Sequence, residues 1–191
     1  RNAVALLYLV EYADTNSQSA IGAGVTDSTN TAAIASGGCD YLVGASGNAV
    51  GKTGKVSVSY RGLEDLWGNV WEFVDGINIK ADYRLYVADH GFASDVFDEP
   101  YTDAGFNLPG TNSWVNNFAC SAGADWLLMP SAVGASSGYI PDYYYQATGN
   151  RVAVVGGHWT SGLRAGLFCW SVSYTSSNAA LTVGARLLLI P

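Results

Sequence analysis

The chain has 191 residues, a formal net charge of −7 at pH 7 and a sequence pI near 4.5. Apolar residues make up 49 % and charged residues 13 %, which excludes a disordered chain and a charged coiled coil. The acidic balance speaks against wrapping nucleic acid phosphate, and no basic run addresses an anionic membrane.

Ala3, Leu6, Leu7 and Val10 recur at helical spacing, which predicts one amphipathic helix running to about Asp14. The apolar run Ala3 to Val10 is too short to span a bilayer, and no signal-peptide cleavage pattern follows it. A start at Arg1 without Met reads as a fragment or a processed product. Asn16 to Asn48 is rich in Ser, Thr, Gly, Ala and Asn and reads as irregular surface. It is not a linker, because Ile21, Val25, Ile34 and Tyr41 recur within it.

From Lys55 the period changes to two. Val56, Val58 and Tyr60 alternate with Ser57 and Ser59, as in a half-buried strand. Val70 to Val74 alternates again, with Trp71 and Phe73 on one face. Tyr83 to Ala88 and Trp126 to Met129 are short strand candidates, and Asp89 to Asn117 between them reads as long loops. Arg151 to Val155, Leu167 to Tyr174 and Leu181 to Ile190 are expected as three closing strands. The expected fold class is therefore α+β: short twisted antiparallel strands, one amphipathic helix and long loops in a single domain over 1–191. Long loops on a compact scaffold tend to carry function.

Several chemistries can be weighed on residue spacing. Cys39, Cys120 and Cys169 form no CxxC, which argues against a zinc site and a disulfide framework. Free buried thiols are the simpler reading, with one bridge left open. Gly47 to Thr53 is similar to a phosphate-binding loop, but the first Gly of that spacing falls on Ser46 and a strand, not a helix, comes after it. A turn with a solvated Lys52 is expected instead. His90 and His158 are the only histidines, and no G-x-S-x-G nucleophile elbow occurs. Asp95, Asp98, Glu99 and Asp103 lack the D-x-D-x-D-G spacing of a calcium loop and read as a solvated acidic loop.

The richest segment runs from Gly62 to Phe73, with Glu64, Trp67, Gly68, Asn69, Trp71 and Glu72. It reads as a tight Gly68-Asn69 turn feeding a strand whose aromatic side packs inward. A second block is Gly156-Gly157-His158-Trp159, then Gly162 and Ala165 to Phe168; a third is Gly184 to Leu187. Arg186, set between apolar residues, is expected to pair internally with carbonyls or with a carboxylate such as Glu72.

These three ordered blocks resemble the formylglycine-generating-enzyme-like branch of the C-type lectin fold, and the resemblance covers most of the chain. It implies that Ala3 to Ala13 is a family helix and that a strand and a first helix would precede Arg1. Gln18 to Gly22 and Leu128 to Ser131 look most like phage and prokaryotic surface proteins, among them the variable proteins of diversity-generating retroelements. The enzymes of the branch carry two active-site cysteines four and nine residues beyond the second glycine, and those positions here hold Ser161 and Gly166. The resemblance thus supports the fold and argues against a copper thiolate pair, while two histidines cannot supply the iron site of the related oxygenases.

The resemblance places ligand contacts at His158, Thr160, Ser161, Leu163, Arg164, Cys169, Ser171, Ser173 and Tyr174. The residues at all nine positions belong to the set that adenine-directed mutagenesis of Asn codons ending in C or T can reach. Trp67, Asn69, Trp71, Glu72, Gly156, Gly157, Trp159 and Arg186 would form the fixed scaffold. The expected function is that of a non-enzymatic binding domain with no cofactor and no metal. Its partners would be a host cell-surface protein or glycan and other virion proteins, without nucleic acid or membrane insertion, a homotrimer being one assembly left open. The expected setting is a phage tail or capsid surface, with a prokaryotic cell surface as the alternative. A formylglycine-type oxidase or iron-dependent oxygenase, and a purely structural virion protein, are the rival readings.

Overall fold

The computed structural model describes residues 2–135 and 140–186. They form a mixed α+β structure built mostly of strands, with two helices, α1 (Asn2–Tyr12) and α2 (Ser17–Ala20). Among these residues no helix is long and apolar enough to cross a membrane.

A small antiparallel sheet comes first, of β1 (Gly47–Asn48), β2 (Val58–Tyr60) and β3 (Leu63–Glu64). Arg61 and Gly62, both at positive φ, make the two-residue turn between β2 and β3, the backbone that matches the twist of paired strands. The large sheet has nine strands: β4 (Trp71–Ile79), β5 (Arg84–Val87), β6 (Thr102–Asn107), β7 (Ser113–Ser121), β8 (Ala124–Gly134), β9 (Tyr143–Gln146), β10 (Arg151–Val155), β11 (Trp170–Tyr174) and β12 (Val183–Gly184). Their order is β6-β5-β4-β10-β11-β9-β7-β8, with β12 beside β4. The sheet is nearly closed: the β7–β8 turn meets β6, where a Cβ on Gly123 would lie 3.2 Å from the Asp103 carbonyl.

Strand alternation sorts side chains onto two faces. Ala153 and Val155 of β10, and Trp170 and Val172 of β11, enter the main core with Ile77, Val115, Met129 and Tyr144. Val154 and Cys169 point the other way and join Trp71 in a second, smaller cluster edged by Phe73, Tyr145, Tyr174 and Val183.

Four expectations are corrected by the fold. The helix is present but turned. Leu6, Leu7 and Val10 are 49 %, 42 % and 84 % exposed, and Ala5 and Tyr8 face the core instead. Tyr8 stacks on Tyr12 and meets Tyr60 and Phe168 edge-on, an aromatic packing that outweighs the burial of a leucine. Second, the stretch read as loops, Asp89 to Asn117, holds β6 and the first half of β7. Its Asp, Asn, Ser and Gly residues lie on half-exposed strands where pairing, not burial, sets the conformation. Third, the pairing is not all antiparallel: β11 with β9 and β12 with β4 run parallel. Some strands are also long, β4 and β7 with 9 residues and β8 with 11. Finally, Leu181 to Ile190 contributes only Val183–Gly184 as strand within the described residues, and Leu187 to Ile190 fall outside them.

None of the three cysteines is in a disulfide, and Cys39 and Cys169 are buried while Cys120 is exposed on β7, so burial holds for two of them. Lys52 is exposed in a turn, as expected.

Candidate functional site

The block from Gly62 to Phe73 and the block from Gly156 to Phe168 meet in space through their glycines. Gly68 and Asn69 both have positive φ, and a Cβ on Gly68 would sit 2.7 Å from the Val25 carbonyl. Only glycine fits that approach. The Gly68 amide donates to the Gly156 carbonyl (3.1 Å), and the Trp159 amide donates to the Asn69 carbonyl (3.0 Å). Asn69 bridges inward: its Nδ2 donates to Ile34 O and Asp65 Oδ2, and its Oδ1 accepts from Ile34 N. Asp65 is buried, which pushes its pKa up, while donors from Val58 N, Ser57 Oγ and Asn69 favour the charged form. Trp67 is buried and donates its indole N–H to Gly22 O (2.9 Å).

The turn from Gly156 to Leu167 is packed to backbone tolerance. A Cβ on Gly157 would lie 2.7 Å from the Ala165 Cβ, and one on Gly166 would lie 2.1 Å from the Asp142 carboxylate. Asp142 is buried and accepts the Phe168 amide (2.7 Å). Trp71 is buried, in the smaller cluster rather than the main core, and its ring meets Tyr145, His158 and Tyr174. Glu72 accepts from Arg186 Nε (2.9 Å), and Arg186 also donates to Glu64 O. The partner was anticipated, but the setting differs: the Arg186 side chain is 37 % exposed, so this is a surface-edge pair rather than an internal one. The Glu72 side chain is only 12 % exposed, so truncating Arg186 leaves a largely buried carboxylate and costs more than the about 0–1 kcal/mol of a surface ion pair.

The nine expected contact residues divide. Leu163 and Arg164 are exposed, and His158, Thr160, Ser161, Ser173 and Tyr174 are half-buried. Cys169 and Ser171 are fully buried and leave the set. Cys169 packs on Trp71 and Val154, and the Ser171 hydroxyl is hydrogen-bonded to Ser173 Oγ (2.8 Å). Ser161 works within the turn: its Oγ accepts the His158 amide (2.9 Å), and its own amide donates to His158 O. His158 stands against Trp71 and Trp159, and burial lowers its pKa.

The structure adds residues that the sequence reading passed over. Tyr143 and Tyr145 on β9 and Trp114 on β7 lie half-buried beside this turn. Arg164 sits 4.8 Å above the Tyr143 ring, within cation–π range. From Tyr143 a row of rings runs to Trp114 (5.3 Å) and through Tyr145 (4.7 Å) to Trp71 (5.8 Å) and Tyr174 (6.3 Å). A signal existed in Tyr143-Tyr144-Tyr145, since a strand period would send Tyr144 inward and its neighbours outward.

The remaining candidates have other partners. His90 is exposed and hydrogen-bonded to Asp89. Asp103 pairs with Arg84 (2.8 Å), and Asp95 accepts from Ser176. Among the described residues no three of His, Cys, Asp and Glu gather as a metal set. No family model matches the chain, and no curated protein matches it.

Proposed function

We propose that this is a C-type-lectin-like domain of the formylglycine-generating-enzyme-like branch that acts by binding, through the surface formed by His158, Thr160, Leu163, Arg164, Ser173 and Tyr174. The partner is a host cell-surface protein or glycan, and the setting is the surface of a phage particle, on a tail or capsid decoration. Other virion proteins hold the domain in place. The phage setting rests on the resemblance alone.

One observation carries the binding reading: backbone and side chains have separate tasks at this turn. The backbone is held by Gly68, Asn69, Gly157 and Gly166, while Leu163 (77 % exposed) and Arg164 project outward beside a row of aromatic rings. Rigid Tyr and Trp faces, a guanidinium and small polar groups suit contact with protein or glycan. The rival oxidase reading is disfavoured on steric grounds. A side chain at position 166 would overlap the Asp142 carboxylate, so the second thiol of the enzyme pair has no room.

A combined Thr160→Ala, Leu163→Ala, Arg164→Ala variant tests the reading, with Tyr174 left in place because its ring packs on Trp71. Substitutions of side chains that are not part of the core change stability by about ±0.5 kcal/mol, whereas a lost hot spot costs about 2 kcal/mol in affinity. The variant is expected to melt close to the parent and to lose binding to a panel of intact bacterial cells and to a glycan array. Parent-like binding by the variant overturns the assignment of this surface.

A further inference from the structure

We infer that Gln18 is the positioning residue of the binding turn: its side-chain amide, supplied from a remote segment, sets the shape in which Leu163 and Arg164 are presented. The inference rests on the proposed binding function and names the residue that organises that surface. Gln18 Nε2 donates to Gly162 O (2.9 Å) and to Ala165 O (2.6 Å). These two carbonyls bracket the single 3₁₀ turn Gly162–Arg164. Both acceptors are carbonyl oxygens, so serving the two from one group requires two donor hydrogens, which the amide NH2 carries and a carboxylate lacks.

The backbone is packed tightly on either side at Gly157 and Gly166, whereas the step through Gly162 and Leu163 has no packing of its own. Of the turn's own backbone bonds, Arg164 N to Ser161 O (3.1 Å) is of ordinary length, and Ala165 N to Gly162 O (3.3 Å), which closes the turn, is long. Gly162 is at φ +59° with nothing within 4 Å of where a Cβ would be, and Leu163 points to solvent. Further ties come from the same remote stretch as Gln18. Thr26 O accepts the Gly162 amide (2.8 Å), Ser17 Oγ accepts the Leu167 amide (3.0 Å), and Asn30 Nδ2 donates to Trp159 O (2.9 Å). Gln18 is itself anchored: it comes directly after the buried Ser17 on α2, whose first turn is capped by Asn16 accepting from Ser19 N. Of the ties from outside the turn, only Gln18 joins its first residue to the one just beyond its end.

The test compares the intact chain with Gln18→Glu, which keeps the shape but loses the donor, and with Gln18→Lys, which restores donors. Amide hydrogen exchange is measured over 158–166 and over β10, together with tryptic cleavage after Arg164. In Gln18→Glu, exchange at Arg164 and Ala165 and cleavage after Arg164 are expected to rise at least about tenfold, with β10 unchanged. Gln18→Lys should fall between it and the parent. Binding of Gln18→Glu to the same cells and glycan array is expected to drop about tenfold, although every solvent-facing residue is intact. Unchanged exchange and cleavage overturn the inference, as does a uniform rise through β10, which would mark a general loss of stability. So does a Lys variant as loose as the Glu variant, because donor chemistry would then be irrelevant. The exchange readout needs no ligand. If the triple variant binds like the parent, the binding reading falls while the role of Gln18 in the turn is judged separately.

Discussion

His158 shows how one residue can belong to both the surface and the frame. Its ring lies against Trp71 (6.1 Å) and Trp159 (5.6 Å), with Thr160 Oγ1 3.4 Å from Nδ1. Burial disfavours the imidazolium, so the folded chain takes up that proton at a lower pH than the unfolded chain, whose histidine titrates near 6.5. The unfolded state then binds more protons below that value, and the histidine's contribution to stability falls as pH drops. Asp65 works in the opposite sense, because its raised pKa favours the folded state on acidification. A comparison of parent and His158→Asn melting temperatures from pH 7.5 to 5 cancels Asp65. The parent is expected to lose stability more steeply than the variant over that interval. Parallel curves would mean that His158 titrates as it does in the unfolded chain.

At the scale of an element, α1 is the clearest case of periodicity finding a helix without finding its inner face. Asn2–Tyr12 is apolar on nearly every side, so spacing alone offers several stripes. The aromatic floor of Tyr60 and Phe168 selects the stripe with Tyr8, and Leu6, Leu7 and Val10 remain outward. Tyr8→Ala is therefore expected to cost about 3–5 kcal/mol, in line with removal of large buried rings. Val10→Ser, at an exposed site, should change stability by about 0.5 kcal/mol or less. Urea denaturation of the two variants distinguishes the faces, and a reversed order would put the Leu6–Val10 stripe inside. The strands of Asp89 to Asn117 make the same point. Thr102–Asn107 is a strand because β5 pairs with it, not because of its own composition.

For the whole molecule, activity and architecture are linked through position 166. The backbone there touches a buried carboxylate that holds Phe168, so the fold and an oxidase thiol compete for one volume. Incubation with copper and a cysteine-containing sulfatase peptide is expected to leave the peptide unchanged. Formation of formylglycine would reverse the non-enzymatic reading.

How much was legible in advance depends on the range of the physics involved. Sequence alone determined the features set by local rules. The Gly68-Asn69 turn needs positive φ, Trp71 is buried with Phe73 packed in the same small cluster, and Arg151–Val155 reads directly as a strand. It also pointed to His158 and Tyr174, whose rings lie against Trp71, and to Arg164, which lies over the Tyr143 ring. Tertiary structure alone decided which face of α1 is buried, that Cys169 and Ser171 turn inward, and that Arg186 pairs at an edge. It also brought Tyr143, Tyr145 and Trp114 to the surface, and carried the Gln18 amide across 144 residues to Gly162. Pairing and packing between distant segments set these outcomes, and neither periodicity nor composition encodes which segments will meet.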